Sequence, residues 1–311
     1  MTAATEQENP VFFDLSARSK LRIGGSDRLR FLNGQITNDA RKSTTERAIA
    51  GAILNARGKM DAFVYLSQGA DWYFIDADPE LQEKLPARLG RYVIADDVEL
   101  ADITSQFALF HVLSDAPLPD EIDASVVRSD RFGLPGVDLW VEMDRHHDVF
   151  AQLSGVFSFR DGAALEIFRI EQGIPRWTRE LTEEIIPPEA NLETVAVDYE
   201  KGCYIGQEIV SRMKMSGQRN KKLTGFISVY NAPLEAGMKI YPVGEEKKEA
   251  GWITSAVHSR RLGKEIALGY LKRPFYHAGF RLDAKHPEDI GKDPVRIEIA
   301  DLPFQSAAPQ K

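Results

Sequence analysis

The sequence has a single cysteine, Cys203. One thiol cannot form an internal disulfide, which excludes a disulfide-stapled secreted fold. It also cannot complete a zinc or iron–sulfur site within one chain, because such sites take about four protein ligands, most often cysteines. We therefore expect no metal held by one chain alone, and Cys203 is at most one ligand of a cluster shared with a partner.

Long apolar runs and an excess of positive charge are also lacking. No apolar run approaches the roughly 20 residues that span a bilayer, so we expect no membrane segment. The formal net charge is −8, which disfavours a protein that mainly grips nucleic-acid phosphates. Residues 1–10 are polar and acidic, unlike a signal or transit peptide. Together these features predict a cytoplasmic protein.

The length of 311 residues suggests about two domains. Up to about residue 220, short strands mix with helices, which favours an α+β fold over a doubly wound sheet. Beyond that point the pattern is almost purely β, punctuated by glycine and proline, which predicts a small carboxy-terminal β-barrel. We therefore expect an α+β region, 1–220, with a further division near 115–125, and a barrel domain, 221–311.

Two helices in the first region have predictable ends. Asp161 is a candidate cap for a helix from Gly162 to about Gln172, with Gly173 as its stop. Ser26 is a candidate cap for an earlier helix that Gly34 closes.

Cys203 lies in the segment Lys201-Gly-Cys-Tyr-Ile-Gly-Gln-Glu208, ahead of a helix expected to begin at Gln207. The Lys201 ammonium and the helix amino terminus would both favour the thiolate. A buried cysteine that packs as a small hydrophobe is an equally good interpretation. No histidine lies in a recognisable nucleophile signature, so a cysteine hydrolase has no support.

Glu171 shares the apolar face of the expected 162–172 helix and lies in its last turn, where a carboxylate opposes the helix dipole. Such a carboxylate needs hydrogen-bond donors, which a ligand with paired N–H groups would supply. An ion pair with Arg169, Arg176 or Arg179 explains it at least as well.

A basic run in this acidic protein comprises Lys214, Arg219, Lys221 and Lys222. Such runs are usually solvated, and that is the favoured interpretation. The alternative is a contact for a polyanion, such as a polyglutamate tail or a tRNA phosphate. No RNA-binding motif accompanies the run.

The 201–208 segment resembles the signature of YgfZ-type proteins, folate-dependent iron–sulfur maintenance factors of the glycine-cleavage T-protein-like superfamily. The resemblance implies a cloverleaf-like folate-binding body followed by a β-barrel. Further segments resemble the family in the same order along the chain: 27–39, 166–175, 186–189, 251–256 and 266–270.

The resemblance implies tetrahydrofolate or a derivative as the cofactor. Arg169-Ile-Glu171-Gln-Gly173 matches the T-protein pattern whose glutamate holds the pterin, so Glu171 is expected to bind folate. Asp76 falls where T-proteins place an asparagine near the folate. Tyr204 and Gln207, in the signature segment, are further expected cofactor contacts.

The catalytic aspartate of true aminomethyltransferases has no counterpart in register. Aligned without gaps, its position falls at Ala62 or Phe63. Asp61 is one or two residues away, and a slip of one residue reverses the facing of a strand side chain. Asp61 is therefore kept only as a candidate catalytic residue, and whether the protein turns over a substrate stays open.

The leading hypothesis is a tetrahydrofolate-binding accessory protein that supports assembly or repair of iron–sulfur proteins, including tRNA-modifying enzymes. Cys203 would be the functional thiol, in redox exchange or as a shared cluster ligand, with Lys201 supporting its thiolate form. Its expected partners are folate and iron–sulfur assembly or client proteins. The alternatives are a folate-dependent aminomethyltransferase and a tRNA-binding module.

Overall fold

The computed structural model describes residues 10–114, 117–119, 122–245, 247–276, 280–289 and 293–305. The α-helices of these residues, α1 to α6, are Arg28–Gln35, Lys84–Gly90, His146–Ser154, Gly162–Gln172, Glu193–Ala196 and Gln207–Ser216. The strands, β1 to β16, are Val11–Asp14, Ser19–Gly24, Ile49–Leu54, Met60–Gln68, Tyr73–Ala77, Glu99–Asp102, Phe107–Leu113, Ser125–Arg128, Val137–Glu142, Ser158–Arg160, Lys221–Ser228, Lys239–Pro242, Gly251–Ser259, Lys264–Lys272, Leu282–Lys285 and Val295–Ala300.

The strands form two five-stranded sheets and one closed barrel. The first sheet has the order β10-β1-β7-β9-β8, in which β1 is parallel to β10 and antiparallel to β7. The second has the order β3-β4-β5-β2-β6, and the barrel has the order β11-β14-β13-β12-β15-β16. Because strands and helices mix without strict alternation before the barrel, the predicted α+β class with a carboxy-terminal barrel is confirmed.

Contacts divide the chain into two compact units. Unit 1 is Met1–Leu32, Ala40–Ala50 and Val64–Leu165, and unit 2 is Asn33–Asp39, Gly51–Phe63 and Glu166–Lys311. Although β11 begins at Lys221, the units do not change there, so the division into 1–220 and 221–311 stays a prediction. The division expected near 115–125 falls inside unit 1, and residues 115–116 and 120–121 lie outside the described part of the chain.

Unit 1 has an apolar core on one face of the β10-β1-β7-β9-β8 sheet. Phe12, Phe110 and Leu139 from three neighbouring strands are completely buried, and they pack with Val149 and Leu153 of α3. Successive strand residues point to opposite faces of a sheet, so the apolar residues at alternate positions all reach this one core.

The barrel of unit 2 has its own apolar core. Phe226, Ile240, Ile253, Leu271 and Ile297 come from five different strands and are almost completely buried in one cluster. The barrel interior is therefore filled by side chains, as in other small barrels.

The ends predicted for α4 are confirmed. The Ala164 N–H donates to Asp161 Oδ1 (2.8 Å), and Gly173 has a φ of 71° directly after the helix. The ends predicted for α1 were wrong, since the Ser26 hydroxyl donates to Asp97 Oδ2 (2.7 Å) and the helix continues through Gly34 to Gln35. No helix in the described residues is both long and apolar enough to cross a membrane.

Candidate functional site

The signature segment is attached to the end of α1 by Lys201, which is only 7% exposed. Its ammonium donates to the backbone carbonyls of Asn33 (2.8 Å), Ile36 (2.7 Å) and Asn38 (2.8 Å). The carbonyls at a helix carboxyl end lack partners within the helix and carry partial negative charge, so a cation is stabilised there. Lys201 therefore supplies the helix end with the cap that was expected from Gly34.

The same contacts bear on the role predicted for Lys201 beside the thiol. An ammonium has three N–H donors, and three carbonyls accept from this one. The ammonium also lies 5.1 Å from the centroid of the Tyr204 ring. What the contacts show is a positioning role, and support of the Cys203 thiolate stays a prediction.

Gly206 fixes the other end of the segment. It has a φ of 84° and directly precedes α6. A Cβ at this position would lie 2.6 Å from the Asn55 carbonyl oxygen and 3.0 Å from Leu54 Cβ. Since the left-handed conformation and the contact both exclude a side chain, residue 206 must be glycine for the loop to pack on the 54–58 turn.

Cys203 lies between these two attachment points and is exposed. A Cβ added at the neighbouring Gly202 would have no atom within 4 Å, so the position before the cysteine is also open. The interpretation of Cys203 as a buried hydrophobe was therefore wrong. The described residues contain no group of three or more histidine, cysteine, aspartate or glutamate side chains that could hold a metal.

Tyr204 and Gln207 follow the thiol along the segment. The Tyr204 side chain is buried, and its phenol oxygen has no hydrogen-bond partner among the described residues. Burial raises the pKa of this phenol, and the nearby Tyr199 and Asp198 add to the shift. Gln207 begins α6, and its N–H donates to the Tyr204 carbonyl (3.2 Å). Their role as cofactor contacts stays a prediction.

Glu171 is 5% exposed and bonds to residues at the barrel end. Its Oε1 accepts from the Ser259 hydroxyl (2.5 Å), and its Oε2 accepts from Arg261 Nε (2.9 Å). Its backbone carbonyl accepts from the Phe304 N–H (2.8 Å). The predicted ion pair at this carboxylate thus forms with an arginine 90 residues away, and not with Arg169, Arg176 or Arg179.

Arg169, two residues before Glu171 on α4, belongs to a different buried cluster around Glu180. Glu180 is completely buried and accepts from Arg169 Nη1 (2.9 Å), the Thr254 hydroxyl (2.7 Å) and the Ser255 hydroxyl (2.6 Å). These contacts join the segment after α4 to strand β13. No local pattern in the sequence predicts this cluster, because its members lie up to 86 residues apart.

Asp76, in unit 1, lies between two guanidinium groups and is 1% exposed. Its Oδ1 accepts from Arg18 Nε and from Arg131 Nη1 (2.9 Å), and its Oδ2 accepts from Arg131 Nη2 (2.5 Å). Three of the roughly four lone-pair positions of the carboxylate are therefore used by protein donors.

The same network continues from Arg131 to a buried pair. Arg131 Nε donates to Asp138 Oδ1 (2.7 Å), which also contacts His111 Nδ1 (2.8 Å). Burial alone would raise the pKa of Asp138, but Arg131 and His111 hold it well below its ordinary value. No local pattern in the sequence predicts this network, because its charged residues come from separate strands and loops.

Asp61 is the second residue of β4 and is partly buried. Side chains alternate along a strand, so Asp61 shares a face with Phe63 and opposes that of Ala62. The catalytic aspartate of the transferases aligns with Ala62 or Phe63. Asp61 lies on the same face of the strand as that aspartate only if the alignment to Phe63 holds.

The basic run is largely engaged within the chain. The Lys214 ammonium lies 3.7 Å from the centroid of the Tyr199 ring, and Arg219 pairs with Glu193. Lys221 Nζ lies 3.8 Å from Glu189 Oε2. These contacts offset part of the positive charge of the run, and its role as a polyanion contact stays a prediction.

Comparison with known proteins matches residues 221–305 to the glycine cleavage T-protein C-terminal barrel domain. A mitochondrial iron-sulfur cluster assembly factor IBA57 homolog of Dictyostelium discoideum is 27% identical over 247 residues, which cover 67% of this chain and 60% of the relative. The tRNA-modifying protein YgfZ of Yersinia pseudotuberculosis is 26% identical over 252 residues, 76% of each chain. The crystal structure of aminomethyltransferase T from the glycine cleavage system of Bartonella henselae matches with a TM-score of 0.82 at 18% identity, over 96% of this chain and 87% of that one.

These similarities support a YgfZ-type protein of the glycine-cleavage T-protein-like superfamily. Its fold is the aminomethyltransferase T fold, with the closed six-stranded barrel at the carboxy-terminal end. The aligned region spans less than two thirds of the Dictyostelium relative, so the activity of that whole protein is not transferred with the fold.

Tetrahydrofolate is the cofactor that this superfamily implies, and the two carboxylates predicted to hold it differ in capacity. Glu171 accepts two hydrogen bonds from side chains, whereas Asp76 accepts three. A carboxylate has about four lone-pair positions. Glu171 therefore keeps room for the adjacent N–H donors of a pterin edge, and it fits the group better than Asp76 does.

Proposed function

We propose that this YgfZ-type protein is a tetrahydrofolate-binding accessory protein that supports assembly or repair of iron–sulfur proteins, including tRNA-modifying enzymes. The observation that carries the proposal is the exposed Cys203 thiol on a loop held at Lys201 and Gly206. A reactive thiol must be accessible to its partner protein and held in a defined position. Cys203 is exposed, and Lys201 and Gly206 fix the two ends of its loop.

The names of the relatives support this proposal. One relative is an iron-sulfur cluster assembly factor and another is a tRNA-modifying protein. We place this protein in the cytoplasm, as its sequence predicts, although the Dictyostelium relative is mitochondrial.

Cys203 has two chemical roles that fit its position. As a thiolate it would contribute one ligand to a cluster whose other ligands come from a partner, because clusters are held by about four protein ligands. Alternatively it would attack a disulfide of a client protein, forming a mixed disulfide and releasing the second client sulfur as a thiolate. In both roles the partner must come within bonding distance of Sγ, which the exposure of Cys203 allows.

Glu171 is the residue proposed to hold folate. Tetrahydrofolate carries one-carbon units when it is bound, and the carboxylate would accept from two adjacent N–H groups of its pterin. Ser259 and Arg261 orient the carboxylate from the barrel side. Tyr204 is a further candidate contact, since its buried phenol lacks a partner among the described residues.

The deciding experiment is complementation of a YgfZ-deficient strain by Cys203→Ser and, separately, by Glu171→Gln. We expect Cys203→Ser to lose complementation while the purified variant keeps its folded stability and its tetrahydrofolate affinity. Glu171→Gln should weaken tetrahydrofolate binding at least tenfold in a calorimetric titration, because one charged acceptor is lost. Full complementation by Cys203→Ser would remove the thiol from the mechanism. Unchanged folate binding by Glu171→Gln would remove the assigned anchor.

Aminomethyl transfer is the second candidate function, favoured by the facing that Asp61 shares with the aligned position at Phe63. It predicts turnover of an aminomethyl donor with tetrahydrofolate, abolished by Asp61→Asn and unaffected by Cys203→Ser. The two variants thus distinguish the two functions, since each removes the residue that only one of them requires.

A further inference from the structure

Unit 1 contains a basic crevice that none of the predicted site residues lines. Its volume is about 490 Å³. The polar residues on its walls are Arg47, Arg128, Asp130 and Ser114, and Gly136 forms part of the backbone wall.

The two arginines of the crevice stand side by side. The Arg128 N–H donates to the Glu46 carbonyl (2.7 Å), and the Ala48 N–H donates to the Arg128 carbonyl (2.8 Å). Arg47 and Arg128 are consequently partners in a parallel bridge at the edge strand β8. Bridge partners have their side chains on the same face of the sheet, with backbones about 4.8 Å apart. The Arg47 and Arg128 side chains therefore begin next to each other on one face.

The charge of this pair is only partly compensated. Asp130 Oδ2 lies 3.9 Å from Arg47 Nη2, and no carboxylate in the described part of the chain lies within ion-pair distance of Arg128. Like charges directly opposite one another on neighbouring strands are destabilising. A bound anion would offset the repulsion between Arg47 and Arg128.

The wall at Gly136 is backed by buried β7. A Cβ at this position would lie 2.8 Å from both His111 Nε2 and the Val112 carbonyl oxygen. His111 is completely buried, and its Nε2 has no partner among the described residues. Close packing behind Gly136 therefore fixes this wall relative to β7, and the Ser129 N–H, which directly follows β8, donates to the Gly136 carbonyl (2.9 Å).

We propose that the crevice binds a phosphate group through Arg47 and Arg128. The planar fork of a guanidinium pairs two N–H donors with two phosphate oxygens, and neighbouring forks can grip one phosphate from two sides. The crevice is larger than a phosphate, so it leaves room for the group esterified to it. That group belongs either to a small phosphate ester or to an RNA backbone.

Isothermal titration of the full-length protein at low salt tests the proposal with pyrophosphate, AMP and a short single-stranded RNA. We expect saturable pyrophosphate binding that Arg47→Gln and Arg128→Gln each weaken at least tenfold. Arg160→Gln, which removes an exposed arginine elsewhere in unit 1, should leave it unchanged. Circular dichroism of each variant confirms the fold, which these exposed side chains should not affect.

The three probes also identify the source of the phosphate. AMP binding at least as tightly as RNA indicates a small ester, whereas much tighter RNA binding that falls steeply with salt and requires both arginines indicates a backbone. The proposal is overturned if no probe binds saturably, or if Arg160→Gln weakens binding as much as the crevice variants do. Neither result depends on folate or on Cys203.

Discussion

Replacing Lys201 with methionine tests whether this lysine holds the signature loop in place. Methionine keeps a similar length and apolar stem but removes the ammonium. The carbonyls of Asn33, Ile36 and Asn38 would then lose their donors at the end of α1. Because Lys201 is 7% exposed, water can replace those donors only after the loop moves.

The expected loss follows from these contacts. A hydrogen bond from a charged donor contributes roughly 1.5–3 kcal/mol net. Three of them act here, but the cost of burying an ammonium offsets part of their sum. We therefore expect the free energy of unfolding to fall by about 3–5 kcal/mol, near the low end of the sum of three such bonds.

Urea unfolding followed by circular dichroism measures this loss, with Lys222→Met as the matched control for removal of a lysine. The rate of Cys203 alkylation gives a second measurement, since a released loop changes the surroundings of the thiol. A loss below about 1 kcal/mol would refute the anchoring role, because the carbonyls would then have needed no donor. In that case Lys201 acts on the thiol alone, and only the alkylation rate should change.

Other perturbations give distinct results in the same unfolding assay. Gly206→Ala should lower the free energy of unfolding by at least about 2 kcal/mol, because residue 206 has a left-handed φ and a close contact with Asn55. Gly202→Ala, at an open position, should change it by less than about 1 kcal/mol. Equal effects of the two variants would contradict this packing. Glu180→Gln should cost about 1.5–3 kcal/mol, because Arg169 loses one charged acceptor and keeps Glu166 as the other. The exposed Glu200→Gln should be nearly neutral. Burial lowers the pKa of Lys20 to about 8, so between pH 8 and 10 the unfolded chain binds more protons there. From pH 8 to pH 10 the free energy of unfolding of the unmodified protein should therefore rise by about 2 kcal/mol relative to that of Lys20→Met. Identical pH profiles of the two proteins would disprove the shift in the Lys20 pKa.

The cluster around Glu171 shows where sequence reasoning reached its limit. Helical spacing correctly predicted α4 with its ends at Asp161 and Gly173, and it identified Glu171 as a carboxylate in need of a partner. It assigned that partner to nearby arginines, whereas the structure uses Arg261. Helix ends depend on neighbours within a few residues, but the partner of a buried charge depends on which strand packs against the helix.

The sequence by itself determined the α+β class, the barrel, the superfamily and the segment that carries the thiol. Each follows from a pattern among residues close together in the sequence: alternation along strands, helix caps, or the contiguous signature around Cys203. Only the tertiary structure showed that the thiol is exposed and that Lys201 grips carbonyls 163–168 residues earlier in the chain. It alone also showed that Arg47 and Arg128 share one face. A side chain's partner and exposure are set by segments distant in sequence, and packing brings those segments together without leaving a local pattern to detect.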